Sequence, residues 1–239
     1  MPNDFFKFKQ FTIRQNACSM KVGTDGVLLG AWVNAGENMQ RILDIGTGTG
    51  VIAIMLAQRF LQAKIDAVEV DEAAANQALE NVKSSPWNSR LNIFHQKFNE
   101  FANSANQRYD LIVSNPPYFL NSLTSPNSGR TTARHAEELQ HEELIIGSLK
   151  LLSEQGKLAV IMPYVEGNIF IALAAKSGLF CNRKLNVSTK KDRPTKRLLM
   201  EFSRSKTKLD EENLYIENTT LNSFTDEYKE LTKDFYLRF

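Results

Sequence analysis

The segment Asp44-Ile45-Gly46-Thr47-Gly48-Thr49-Gly50 constrains this chain more than any other. It closes an apolar run, Arg41–Ile45, that reads as a buried strand, and it opens a helix from about Thr49 to Phe60. Alternating glycines allow a tight strand-to-helix turn and a close backbone approach to a ligand. A phosphate-binding P-loop would need Gly-Lys-Ser/Thr, whereas Gly50 is followed by Val51-Ile52. The spacing G-x-G-x-G also differs by one residue from the dinucleotide fingerprint G-x-G-x-x-G. A glycine turn used purely for packing is the plainer alternative.

Further strands follow at regular intervals. Lys64–Val70, Leu91–His95, Leu111–Ser114 and Lys157–Met162 are apolar runs of strand length. Between them, Glu72–Lys83 is helical, with Ala75, Ala78, Leu79 and Val82 on one stripe. Glu137–Leu152 is a second amphipathic helix, expected to stop at Gly156, and Ile169–Lys176 lies in another, closed by Gly178. Strands alternating with helices imply an α/β fold with a mostly parallel sheet covered on both faces.

The apolar run ending at Ser114 is followed by Asn115-Pro116-Pro117-Tyr118. Proline donates no ladder hydrogen bond, so the strand stops there and presents a stiff, carbonyl-lined loop at its C-terminal end. In open α/β sheets that edge is where ligands bind. A plain turn containing two prolines is the bland reading. Together the glycine loop and this second loop resemble the signature of an amino-group methyltransferase that uses S-adenosylmethionine (SAM).

That resemblance implies roles for individual residues. Exocyclic amino groups are poor nucleophiles because their lone pair is delocalised. Accepting hydrogen bonds from both amino hydrogens aims the nitrogen at the methyl donor and stabilises the positive charge that develops on it. Asn115 would supply a side-chain oxygen and Pro116 a backbone carbonyl, with Pro117 fixing φ near about −65°. Tyr118 would stack on a flipped-out base, worth about 1–3 kcal/mol. No metal and no nucleophilic side chain are required, because an in-line displacement depends on positioning. On the cofactor side stand Gly46, Thr47, Gly48 and Gly50. Glu69, 19 residues after Gly50, would accept from the ribose hydroxyls. Asp71 competes for that role or caps the next helix. Asp44 would orient the methionine end of SAM.

More narrowly, the chain is similar to the bacterial tRNA1(Val) adenine-N6 methyltransferase family. The markers are Met20-Lys21-Val22-Gly23-Thr24-Asp25-Gly26, Asn115-Pro116-Pro117-Tyr118-Phe119, Ala133-Arg134-His135 and Asp234-Phe235-Tyr236-Leu237. The resemblance implies a Rossmann-like class I fold of seven strands, ending in an antiparallel hairpin of Arg183–Ser188 and Arg197–Phe202. It implies methylation of N6 of the adenosine immediately 3′ of the anticodon, residue 37. It also makes Lys21, Thr24 and Asp25 cofactor-covering residues, although Thr and Asp suit an N-cap and turn equally well. Where related enzymes often carry an acid to bind the SAM adenine, this chain reads His95-Gln96-Lys97-Phe98-Asn99-Glu100, so Phe98 is expected to line that pocket. The expected organisation is one methyltransferase domain: a covering extension over 1–40, a core over 41–208 and a tail over 209–239.

Net charge is +2, but it is unevenly placed. From Lys176 to Lys208 there are 11 Lys and Arg against two acids, and from Leu209 onward three against eight. The basic stretch suits phosphate contact or a solvated loop. Lys190, Lys191, Arg193, Lys196 and Arg197 are the expected RNA contacts, with Arg134 as another. Two cysteines without metal-like spacing suggest reduced thiols and a cytoplasmic protein, and no run approaches the roughly 20 apolar residues that span a bilayer. A tRNA is the expected partner, with no obligatory protein partner and no membrane. The rivals are methylation of another RNA or DNA amino group, or of a release-factor glutamine amide, and a non-catalytic binding module. Amide methyltransferases carry a helical domain ahead of this fold, for which the 45 residues before Gly46 leave little room.

Overall fold

The glycine loop sits where the sheet changes direction. The computed structural model describes residues 4–18, 20–34, 36, 39–117, 129–218, 220 and 223–238, the side chains of 129–139 excepted. The first core strand, β3 (Arg41–Ile45), lies between β4 (Lys64–Glu69) and β6 (Tyr109–Ser114), parallel to both. The chain builds outward from β3 through β4 to β5 (Leu91–His95), then returns to the other side of β3 with β6 and β7 (Leu152–Pro163). Such a switch point opens a crevice beyond the carboxyl ends of the two central strands.

Beyond β7 come β9 (Arg197–Ser203) and β8 (Phe180–Ser188), which form the expected antiparallel hairpin. Among the described residues the sheet has eight strands, one more than the seven expected, in the order β10 (Asp210–Tyr215), β8, β9, β7, β6, β3, β4, β5. The extra one, β10, comes from the acidic tail and runs parallel to β8. Its register sets Glu211 beside Lys184, whose Nζ lies 2.9 Å from Glu211 Oε1. The basic stretch and the acidic tail are therefore partly each other's counter-charges.

Helices cover both faces. One apolar cluster joins α1 (Thr24–Trp32), α2 (Val51–Arg59) and part of α3 (Glu72–Lys83) to an N-terminal hairpin, β1 (Phe5–Lys7) and β2 (Thr12–Arg14), and to α7 (Asp226–Thr232). The other joins α4 (Phe98–Ser104), α5 (Gly129–Leu151) and α6 (Tyr164–Lys176). Helix α1 is buried from Gly26 to Trp32, which suits an element clamped between α2 and the terminal segments.

Three expectations are corrected. Helix α5 starts at Gly129 rather than Glu137, and it ends at Leu151, five residues before Gly156. Gly156 instead lies in β7, within the register shift that sets Tyr109 opposite Leu152 but Leu111 opposite Lys157. In α3, Leu79 is 38% exposed while Gln77 and Asn81 are buried, because those two amides hold backbone from the N-terminal segment.

Candidate active site

Asp44 organises the glycine loop from beneath. It is the fourth residue of β3 and fully buried, and its Oδ2 accepts from Thr47 Oγ1 at 2.6 Å and Ala53 N at 3.1 Å. One carboxylate oxygen thus fixes the turn and the start of α2 together. Among the described residues Oδ1 has no hydrogen-bond partner. Burial pushes the Asp44 carboxyl up to about 7. Gly46, Gly48 and Gly50 take φ of 68°, 55° and 80°, a region that disfavours any side chain. No atom lies within 4 Å of where a Cβ would stand on Gly46 or Gly48, so these two backbones border open space that a ligand can fill.

Glu69 closes the loop from the neighbouring strand. Its Oε2 accepts from Gly48 N at 2.8 Å, and its Oε1 accepts from Val70 N at 2.9 Å and Asp71 N at 3.0 Å. Asp71 does the other job foreseen for it: its side chain accepts from Ala74 N at 2.8 Å and caps α3. Of the two acids, Glu69 is the one on the glycine loop.

The strand β6 delivers Asn115 and Pro116. Ser114 Oγ donates to Ile45 O at 2.9 Å, which locks the end of β6 to the end of β3. Asn115 then lines a cavity of about 390 Å³ with Lys21, Thr24, Asp25, the Gly46–Thr49 backbone and Arg197. Pro116 and Pro117 line an adjoining cavity of about 270 Å³ with Phe98, Val70 and His141. Gly46 belongs to both walls, so the two cavities meet at the glycine loop and together make up the crevice beyond β3 and β6. Tyr118 lies outside the described residues. Val70, 60% exposed, and Phe98 are apolar lining residues of this cavity.

The N-terminal segment reaches this crevice because α3 holds it there. Asn81 Oδ1 accepts from Arg14 N, and its Nδ2 donates to Arg14 O and to Thr49 O, each at 2.8 Å. Gln77 Oε1 accepts from Ala17 N at 3.2 Å, and Gln15 Oε1 accepts from Val22 N at 2.9 Å. Sequence reasoning missed Gln15, Gln77, Asn81, Ser114 and Val70. Nothing in the sequence of α3 sets Gln77 and Asn81 apart from its other polar residues, Glu72, Asn76, Glu80 and Lys83.

The expected RNA contacts divide. Arg197 turns into the crevice, where its Nε donates to Asp25 Oδ2 at 2.7 Å. Lys190 Nζ lies 3.8 Å from Glu217 Oε2. Lys191, Arg193 and Lys196 are exposed on the loop between β8 and β9. Arg134 is on α5, its side chain outside the described residues.

Comparison with known proteins agrees with this architecture. Residues 22–165 match the family model described as the methyltransferase small domain. The chain is 48% identical to a tRNA1(Val) (adenine(37)-N6)-methyltransferase of Trichodesmium erythraeum over 241 aligned residues, the whole of both chains. A protein of the same name from Bacteroides fragilis is also 48% identical, again over the whole of both. Among solved structures, a predicted O-methyltransferase from Agrobacterium tumefaciens superposes with a TM-score of 0.69 at 17% identity, covering 88% of this chain and 96% of that one. At that identity the likeness speaks for the fold.

Proposed function

The chain belongs to the methyltransferase small-domain family and, within it, to the tRNA1(Val) (adenine(37)-N6)-methyltransferases, and from that premise we propose that it methylates N6 of adenosine 37 in tRNA1(Val). The observation that carries the reading is that Asn115 and the glycine loop line one cavity.

The residues present fit SAM. Two glycine backbones border open space, a carboxylate stands at the loop, and the adjoining cavity has the apolar lining residues Val70 and Phe98, which suits a planar ring. When bound, SAM supplies an activated methyl group on a sulfonium sulfur. The Gly46–Gly50 loop would hold it, with Asp44 acting from beneath through the loop and Glu69 beside it, while Phe98 would receive its adenine and Lys21, Thr24 and Asp25 would cover it. Glu69 would serve both as a loop anchor and as an acceptor for the ribose hydroxyls, since each carboxylate oxygen can accept more than one bond.

Asn115 and the Pro116 carbonyl then accept the two amino hydrogens of the target adenine. Those bonds turn the nitrogen lone pair out of the ring plane toward the methyl donor and strengthen as positive charge grows on nitrogen. Pro116 and Pro117 hold both acceptors in place, and Tyr118 stacks on the extruded base. The partner is tRNA, met by Lys191, Arg193 and Lys196, and by Arg134. The proposed setting is the cytoplasm, where Cys18 and Cys181 stay as free thiols. Among the described residues no helix is long and apolar enough to cross a membrane.

Incubating the protein with methyl-labelled SAM and unmodified tRNA, then analysing nucleosides by mass spectrometry, tests the reading. N6-methyladenosine is the expected product. Label recovered in protein instead would move the chemistry to an amide.

A further inference from the structure

Thr24 lines the crevice, and it also lines a second depression of about 590 Å³ that methyl transfer leaves without a role. Aromatic rings run along its wall: Tyr228 is buried, at 4% exposure, and links Phe224 to Tyr236 and Phe6, whose rings are only partly covered. Phe224 and Tyr228 have centroids 5.3 Å apart, Tyr228 and Tyr236 6.4 Å, and Tyr236 and Phe6 6.1 Å. These residues come from β1, α7 and the turns flanking α7, so the row exists only because the two ends of the chain pack together. Phe224 is 37% exposed, which leaves part of its ring open.

Charge frames the row. Lys7 and Arg238 are exposed residues of the same depression. Thr189, another wall residue, begins the loop that carries Lys191 and Arg193, and its carbonyl accepts from Glu217 N at 2.8 Å. Glu217 is the acid of this wall, and Lys190 stands 3.8 Å from it.

We propose that this row is a second RNA subsite, taking one or two unpaired nucleotides next to the adenosine whose base enters the crevice. The inference rests on the tRNA reading above and adds to it where the neighbouring bases go. Aromatic faces bordered by cations are what single-stranded nucleic acid requires, since bases stack and phosphates follow the charge. Thr24 borders both cavities, so the two sites are neighbours on the surface, close enough for adjacent nucleotides of one strand.

The test uses the whole protein, SAM and an unmodified anticodon stem-loop of the tRNA. Phe224→Ala should weaken RNA binding about tenfold, equivalent to about 1.4 kcal/mol, with SAM affinity and melting temperature near wild type. Phe224→Tyr, which keeps a ring, should restore binding. Lys7→Ala with Arg238→Ala should weaken binding and also lower its salt dependence, which Phe224→Ala should leave unchanged. If Phe224→Ala does not fold, photocrosslinking of wild-type protein to a 5-bromouridine-substituted stem-loop decides, with crosslinks expected at Phe224 or Tyr236. Wild-type affinity in all variants, or crosslinks confined to other surfaces, would overturn the subsite while wild-type methylation of tRNA kept the functional reading intact. Loss of a dimer in Phe224→Ala with RNA affinity unchanged would overturn it in favour of self-association. A wild-type protein that neither binds nor methylates tRNA would remove both.

Discussion

Arg197 donates from Nε to Asp25 Oδ2 at 2.7 Å, joining the first residue of β9 to the first turn of α1 across 172 positions of sequence. Both side chains are part-buried, at 33% and 24% exposure, so solvent screens the pair only in part. The contact holds the covering segment against the same wall as Asn115. Arg197→Ala or Asp25→Asn should therefore weaken SAM binding by about tenfold, equivalent to about 1.4 kcal/mol. The exchange Asp25→Arg with Arg197→Asp should recover part of it. Calorimetric titration with SAM measures this. Unchanged SAM affinity with weakened tRNA binding would return Arg197 to the RNA surface.

Asp44 gives the protein a pH dependence with a definite sign. Burial raises its carboxyl from 3.8 to about 7, so between those values the folded chain holds a proton that the unfolded chain releases. Stability from this group falls as pH rises through that window and levels off above it. The full shift corresponds to roughly 4 kcal/mol. Urea unfolding of wild type and Asp44→Asn between pH 5 and 8 should show wild type losing ground to the variant up to about pH 7 and no further. A constant difference across the range would contradict the assignment.

Phe98 can be reached without touching the crevice. A Cβ on Gly147 of α5 would stand 2.4 Å from the edge of the Phe98 ring, so Gly147→Ala forces the ring to move. The variant should raise KM for SAM severalfold and leave kcat near wild type, because Asn115 and Pro116 are undisturbed. Steady-state kinetics checks this, and a fall in kcat with KM unchanged would show that Phe98 does not shape the cofactor slot.

Much of the fold was legible where local signals agree with the tertiary outcome. The limits of β3, α3 and β5 follow from apolar runs and from Asp71 as a cap, and Asn115 marks the end of β6 because prolines cannot extend it. The failures have a common cause in long-range partners. Nothing in the acidic tail announces a strand, yet Asp210-Glu211-Glu212 pairs with β8, where Arg183 and Lys184 lie alongside. Gln77 and Asn81 read as the polar face of α3, yet they are buried because the backbone of Arg14 and Ala17 needs them. Arg197 reads as one cation in a basic run, and nothing local announces Asp25 as its partner.

The basic loop should act in two unequal parts. Lys190 faces Glu217, whereas Lys191 and Arg193 are exposed to solvent. Lys191→Ala with Arg193→Ala should weaken tRNA binding and reduce the slope of log K against log salt by about 1.8, at about 0.9 for each phosphate no longer neutralised if helical RNA follows the duplex DNA value. Lys190→Ala should change the slope less. Filter binding from low to moderate salt distinguishes them, and equal slopes in all three proteins would remove the loop from the interface.

The central claim joins one side chain to one atom of one nucleotide. Wild-type protein and Asn115→Ala should each be given labelled SAM with a tRNA1(Val) transcript, and wild type also with a transcript carrying guanosine at position 37. Wild type should label N6 of adenosine in the first transcript and leave the second unlabelled. Asn115→Ala should bind SAM normally and turn over about 100- to 1,000-fold more slowly, the usual cost of losing one transition-state hydrogen bond in such a site. Equal labelling of both transcripts, or near-normal turnover by Asn115→Ala, would contradict it.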